Sequence, residues 1–144
     1  TFRTKDSTDD FILRELEKST QATKLTQYNI DKYLDNSQKG AYLHGEIIDI
    51  IKDYLLQVDS ELCEILSYSI MPNHIHIILI QNDELSKIMQ NIKGSLSFKI
   101  NKKLGKSGQL WQKDYFDKVI RDEDQFVKTY EYVKNNALKA GLVD

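Results

Sequence analysis

Residues 71–76 read Met-Pro-Asn-His-Ile-His, and the chain stays apolar from there through Ile80. Alternate residues of a strand share a face, so His74 and His76 point one way while Ile75, Ile77 and Leu79 point the other. Two imidazoles on one face supply two ligands for a divalent metal, and the third must come from a distant segment. Imidazole suits Mn, Zn, Fe or Ni better than Mg. An isolated His-x-His is more often two partly buried histidines that only make hydrogen bonds. The chain has no HExxH, CxxC, GxSxG or GxxxxGK[ST] pattern, which removes the common zinc-hydrolase, serine-hydrolase and phosphate-loop chemistries.

A second set of reactive residues lies near the other end, in Thr129-Tyr-Glu-Tyr-Val-Lys-Asn-Asn-Ala-Leu-Lys-Ala-Gly-Leu-Val143. Read as a helix, this segment puts Phe126, Tyr130, Val133 and Ala137 on one apolar stripe. Tyr132 and Asn136, four apart, are neighbours on a face about 100° away. Asn136 offers a hard carbonyl oxygen to a cation. Periodicity alone favours Tyr132 as an amphipathic surface aromatic.

These residues need elements to hold them. The 144-residue length predicts one domain, residues 1–144, with a first strand cut short at Thr1-Phe-Arg-Thr4. Short helices are expected over Asp9–Lys18 and Gln27–Leu34, followed by a turn at 36–40 and a stronger helix over 41–57. Two strands, Glu64–Ile70 and His74–Ile80, flank the Met71-Pro72-Asn73 connection. A long amphipathic helix over about 84–104 carries Leu85, Ile88, Met89, Ile92, Leu96 and Ile100. A short strand is predicted near Phe116–Ile120. A last helix follows over about 123–139, started by the acidic 122–124 run and stopped by Gly141. The order β-α-β-β-α-β-α predicts an α+β fold, a ferredoxin-like or RRM-like antiparallel sheet flanked by helices.

Hydrophobic residues make up 40% of the chain and charged residues 29%, ordinary values for a globular protein. No apolar run approaches the roughly 18–20 residues of a membrane span, and no signal-peptide pattern opens the chain. Cys63 is the single cysteine, so no internal disulfide can form, which fits a reducing, cytoplasmic setting. The net charge of −2 hides an asymmetry. Residues 1–84 hold 8 Lys/Arg against 15 Asp/Glu, and residues 85–144 hold 12 against 7. A basic surface in the second half suits phosphate binding, although a solvated helix face accounts for such a run equally well.

Three segments taken together, MPNHIH (71–76), WQKDYFDKVIRDEDQF (111–126) and YVKNNALKAGLV (132–143), resemble the IS200-like tyrosine transposases of the HUH endonuclease superfamily. Within it the chain is most similar to the REP-associated tyrosine transposases, whose C-terminal motif reads Tyr-Ile-x-x-Asn-Pro-Val-Lys-Ala-Gly-Leu-Val. The resemblance runs from about residue 40 onward and extends weakly to the FRTKDS stretch. Ala137 stands where the family has proline, and Val133 stands after Tyr132. The acidic segment 5–40 has no counterpart in the motif.

The resemblance implies a divalent metal, Mg²⁺ or Mn²⁺, held by His74, His76 and Asn136, with Tyr132 as the nucleophile. It implies cleavage and rejoining of single-stranded, hairpin-forming DNA through a 5′-phosphotyrosine link, in a bacterial, nucleoid-associated setting. Relatives occur as monomers and as homodimers. Lys99, Lys102, Lys103, Lys106, Lys113 and Arg121 are candidates to track phosphates, and Trp111 and Tyr115 are candidates to stack on bases. A catalytically silent hairpin-binding protein of the same fold, a rolling-circle-type nickase and an unrelated ferredoxin-like RNA binder are the competing readings.

Overall fold

The structure, a computed structural model, describes residues 1–7, 33, 39–58 and 61–139, with side chains described through residue 135. Strand β1 (Phe2–Arg3) leads into a 3₁₀ turn at Lys5–Ser7. Helix α1 (Glu46–Gln57), strands β2 (Cys63–Ile70) and β3 (His74–Gln81), and helices α2 (Leu85–Leu104) and α3 (Glu123–Lys139) follow. The three strands form one antiparallel sheet in the order β1-β3-β2, so the histidine strand is central. This is the α+β arrangement expected from the sequence.

Strand β3 is buried on both faces, and that explains its near-continuous apolar run. Phe2, Ile75 and Ile70 line one face, continued by Ile77, Leu79, Tyr68 and Ile65. Ile47, Ile51 and Leu55 of α1 and Ile88, Ile92, Leu96 and Ile100 of α2 close over that face as the main core. The α2 residues recur at three- and four-residue steps, the spacing that keeps one helix stripe on a sheet. Gly105, with φ 67°, ends α2 in the left-handed conformation that glycine adopts without steric cost. Helix α3 packs against β2 and β3 and brings Tyr132 to His76, so it covers the opposite face, which carries His74, His76 and Ser69.

Three expectations are corrected. The helix predicted from residue 41 begins at Glu46: Gly40 and Gly45 both have positive φ, and the Leu43 amide donates to the Pro72 carbonyl at 2.9 Å. Residues 41–44 are thus a strap tied to the β2–β3 turn. No strand forms over 116–120, where Val119 is exposed. The chain instead pairs earlier along the open edge of β1. Lys5 N donates to Leu110 O, Gln112 N donates to Arg3 O, and Thr4 bridges Trp111. Thr1 and Phe116 then exchange both backbone bonds at 2.9 Å. Two extra residues lie between these pairings, so the ladder is too irregular to count as a strand. The apolar stripe of α3 runs through Val133, with Phe126 and Thr129 half-buried, while Tyr130 is exposed. The helices predicted over 9–18 and 27–34, apart from Tyr33, and the stop at Gly141 lie outside the described residues.

Candidate active site

The β2–β3 connection is a two-residue turn, Pro72-Asn73, closed by Met71 N donating to His74 O at 2.9 Å. Pro72 sets its own φ and has no amide to leave unpaired, so the turn costs little to form. It delivers Asn73, His74 and His76 in quick succession, and all three are buried. Arg3 lies opposite His74 in the register, and Ser69 lies opposite His76.

The two imidazoles meet edge to face with centroids 5.0 Å apart. His74 Nδ1 lies 2.8 Å from Asn73 Oδ1. An amide oxygen can only accept, so Nδ1 carries the proton and Nε2 holds the lone pair. Asn73 is itself oriented by Nδ2 donating to Lys39 O at 3.5 Å. His76 Nδ1 is hydrogen-bonded to Thr1 Oγ1 at 2.8 Å. His74 Nε2 is buried and has no hydrogen-bond partner among the described residues. Burial, with the positive charges of the N-terminal amine and Arg3 adding to it, pushes the His74 pKa down to about 3. Burial, followed by the neighbouring His74, holds His76 well below the ordinary histidine value. Both rings are therefore neutral at physiological pH, the form in which imidazole ligates metals.

Tyr132 of α3 lies with its ring centroid 5.8 Å from that of His76, at an interplanar angle of 74°. It is 36% exposed, whereas the next residue, Val133, is 4% exposed and anchors the helix. The 100° step between neighbouring helix residues gives one buried anchor and one accessible tyrosine beside the imidazoles. Asn136 lies one turn further along α3, and its side chain is outside the described residues.

A divalent cation fits the described donors. A neutral, buried imidazole with an orphaned Nε2 and its Nδ1 fixed by a neighbouring acceptor is how proteins prepare a histidine ligand. Among the described residues no group of three or more His, Cys, Asp or Glu could hold a metal, so two imidazoles are the described protein donors. Asn73 was not singled out from sequence. Its signal is an asparagine immediately before a histidine at a strand start, and only the turn geometry turns it toward the ring.

The proposed DNA-contacting side chains fall in two places. Lys99, Lys102, Lys103 and Lys106 are exposed at the C-terminal end of α2. Lys103 pairs with Glu46 at 2.5 Å. Lys106 lies 3.8 Å from Asp6 and 3.6 Å from the Tyr42 ring centroid. Asp6 follows β1, and Thr4 N donates to Asn73 O. The lysine cluster is therefore at the sheet end from which His74 starts. Lys113 and Arg121 are exposed, and Tyr115 is half-buried. Trp111 is 4% exposed, packs edge-on against Phe2 at 4.7 Å, and donates from Nε1 to Lys93 O at 3.1 Å. It is a core residue, not an exposed stacking surface.

The antiparallel sheet thus carries helices on both faces, and its histidine pair faces a helix-borne tyrosine. The model of the family "Transposase IS200 like" matches residues 24–136, and the chain belongs to that family. It is a transposase of the IS200 kind, for which DNA is the partner. No curated protein matches significantly. No helix among the described residues is long and apolar enough to cross a membrane.

Proposed function

We propose that this protein cleaves and rejoins single-stranded DNA through a covalent tyrosine intermediate at the His74–His76–Tyr132 site, and that its substrate forms a hairpin near the cut. The observation that carries the reading is the approach of the Tyr132 ring to His76, from segments far apart in the chain, at a face where His74 Nε2 is buried without a partner among the described residues. In the reaction, the Tyr132 phenolic oxygen attacks the scissile phosphorus. A tyrosine–phosphate bond forms, and the bond from phosphorus to the 3′ oxygen breaks. The phenolic proton passes to water, and the departing oxygen takes up a proton as a free 3′-hydroxyl. The link retains the phosphodiester's energy, so attack by a 3′-hydroxyl reverses it and rejoins strands without a nucleotide cofactor.

His74 and His76 through their Nε2 atoms, with Asn136, would hold a divalent cation. Bound there, the cation would polarise the non-bridging oxygens and orient the phosphate. Asn73 keeps His74 in the ligating tautomer. Tyrosine ordinarily titrates near pH 10, so most of the phenol is protonated at neutral pH and loses its proton as it attacks. A flexible single strand suits a nucleophile that must align with one exposed phosphate. The lysines at the end of α2 would hold flanking phosphates.

The test is cleavage of labelled hairpin oligonucleotides bearing single-stranded flanks, in Mg²⁺, Mn²⁺ or EDTA. Metal-dependent cutting that leaves a free 3′-hydroxyl supports the proposal. Tight hairpin binding without cleavage in any metal refutes it in favour of a silent DNA-binding protein.

A further inference from the structure

A groove of about 420 Å³ lies between α2 and the 109–115 segment, away from the histidine pair. Its walls are apolar where Met89, Leu110, Trp111 and Tyr115 meet. The size is within the range of small-ligand sites, about 300–1,000 Å³. The walls are cross-tied. Trp111 Nε1 donates to Lys93 O at 3.1 Å, and Lys93 Nζ donates to Gln112 O at 2.6 Å and Lys113 O at 3.0 Å. The groove is therefore formed before anything enters it, which lowers the ordering cost of binding.

Gly94 lines this groove in the middle of α2. Glycine inside a helix is unfavourable relative to alanine. A Cβ built at Gly94 would meet nothing within 4 Å, so packing within the fold does not require glycine there. Gly94 leaves the α2 backbone bare on the groove side. The lining also has a sign: Lys93 and Lys113 contribute to it, and no Asp or Glu does. Gln90 adds an amide that can both donate and accept, while Gln109 Nε2 donates to Trp111 O at 2.8 Å. The Lys113 cation, an amide and the Tyr115 ring around an apolar groove match an unstacked base with its phosphate.

We propose that this groove holds one unstacked base of the single-stranded DNA, against Tyr115 and beside Gly94, with Lys113 on the adjoining phosphate. The ligand class rests on the DNA-processing reading above, while the groove itself is separate from the histidine site.

Trp111 is the only tryptophan in the chain, so its emission reports the groove directly. The full-length protein in EDTA is titrated with dT10, dA10 and dC10, and with a ten-residue abasic strand of the same charge. The expected result is a change in Trp111 emission with at least one of the base-bearing strands and none with the abasic strand. Gly94→Glu should weaken that binding about 10- to 100-fold, the scale of one lost base-stacking contact. Gly94→Ala should melt above the wild type and still bind more weakly. Equal emission changes with the abasic strand, no change with any strand, or full affinity in Gly94→Glu would each overturn the proposal. Divalent-cation binding to Gly94→Glu, followed by calorimetry, should match the wild type. A failed groove is therefore distinguishable from a failed histidine site.

Discussion

Asn73→Ala isolates the one side chain that fixes the state of His74. In the fold, Asn73 is fully buried and its Oδ1 accepts from His74 Nδ1 at 2.8 Å. Alanine removes the acceptor and leaves a buried ring N–H with no partner, a cost of about 1–3 kcal/mol. It also frees the ring to rotate or to change tautomer. Loss of such a supporting bond to a histidine ligand typically lowers metal affinity about 10- to 100-fold. Two assays follow: urea unfolding with chelator present, and calorimetric titration with Mn²⁺ or Zn²⁺. Asn73→Ala should lose stability in the first and affinity in the second. Asn73→Asp keeps an acceptor at the same place and should recover most of the affinity. Wild-type metal binding in Asn73→Ala, or equal losses in both variants, would refute the assignment of Asn73 as the residue that orients His74.

Further predictions concern stability. Both histidines are held neutral in the fold but titrate near 6.5 when unfolded, so the unfolded chain takes up protons that the native one does not. Stability in the absence of metal should be complete above about pH 6.5 and fall as pH drops toward the folded value. The loss should be about 2 kcal/mol for His74 alone by pH 5. Urea midpoints at pH 7.5 and 5.0 measure it, and His74→Gln should flatten the slope. Gly40→Ala should be severely destabilised. Gly40 has φ 65°, and an added Cβ would lie 2.3 Å from Thr4 Oγ1 and 2.6 Å from the Ser7 amide. The left-handed conformation alone costs about 1–2 kcal/mol, and Thr4 Oγ1 would also lose its bond to Gly40 O. Thermal melting is the check. Ile92→Ala, in the middle of the α2 stripe and fully buried, should cost about 2–5 kcal/mol by urea denaturation.

The features read correctly from sequence are those whose periodicity is local. The two-residue alternation of His74–Ile80 placed both imidazoles on one face, and the three- and four-residue steps of α2 set its buried stripe. The closing segment was misplaced because its pairing is not written in its own pattern. LWQKDY lies along β1 through backbone bonds that depend on where Thr1–Lys5 runs, whereas residues 117–120, past the Thr1–Phe116 pair, join no strand among the described residues. Trp111, expected to stack on bases, is drawn inside by Phe2 and the Lys93 carbonyl. Tyr132 and the histidines were legible as separate pieces. Their 5.8 Å approach is set by how α3 crosses the sheet, which Val133 anchors and no spacing rule supplies. The groove beside Gly94 likewise exists only once two distant segments meet.

The most direct test of the central claim is covalent capture. The protein is incubated with labelled single-stranded hairpin DNA, with Mn²⁺ or with EDTA, and run on a denaturing gel beside Tyr132→Phe and His76→Ala. The account predicts an SDS-stable protein–DNA adduct that requires the metal and is absent from both variants. An adduct that persists in Tyr132→Phe, or that forms equally well in EDTA, would contradict it.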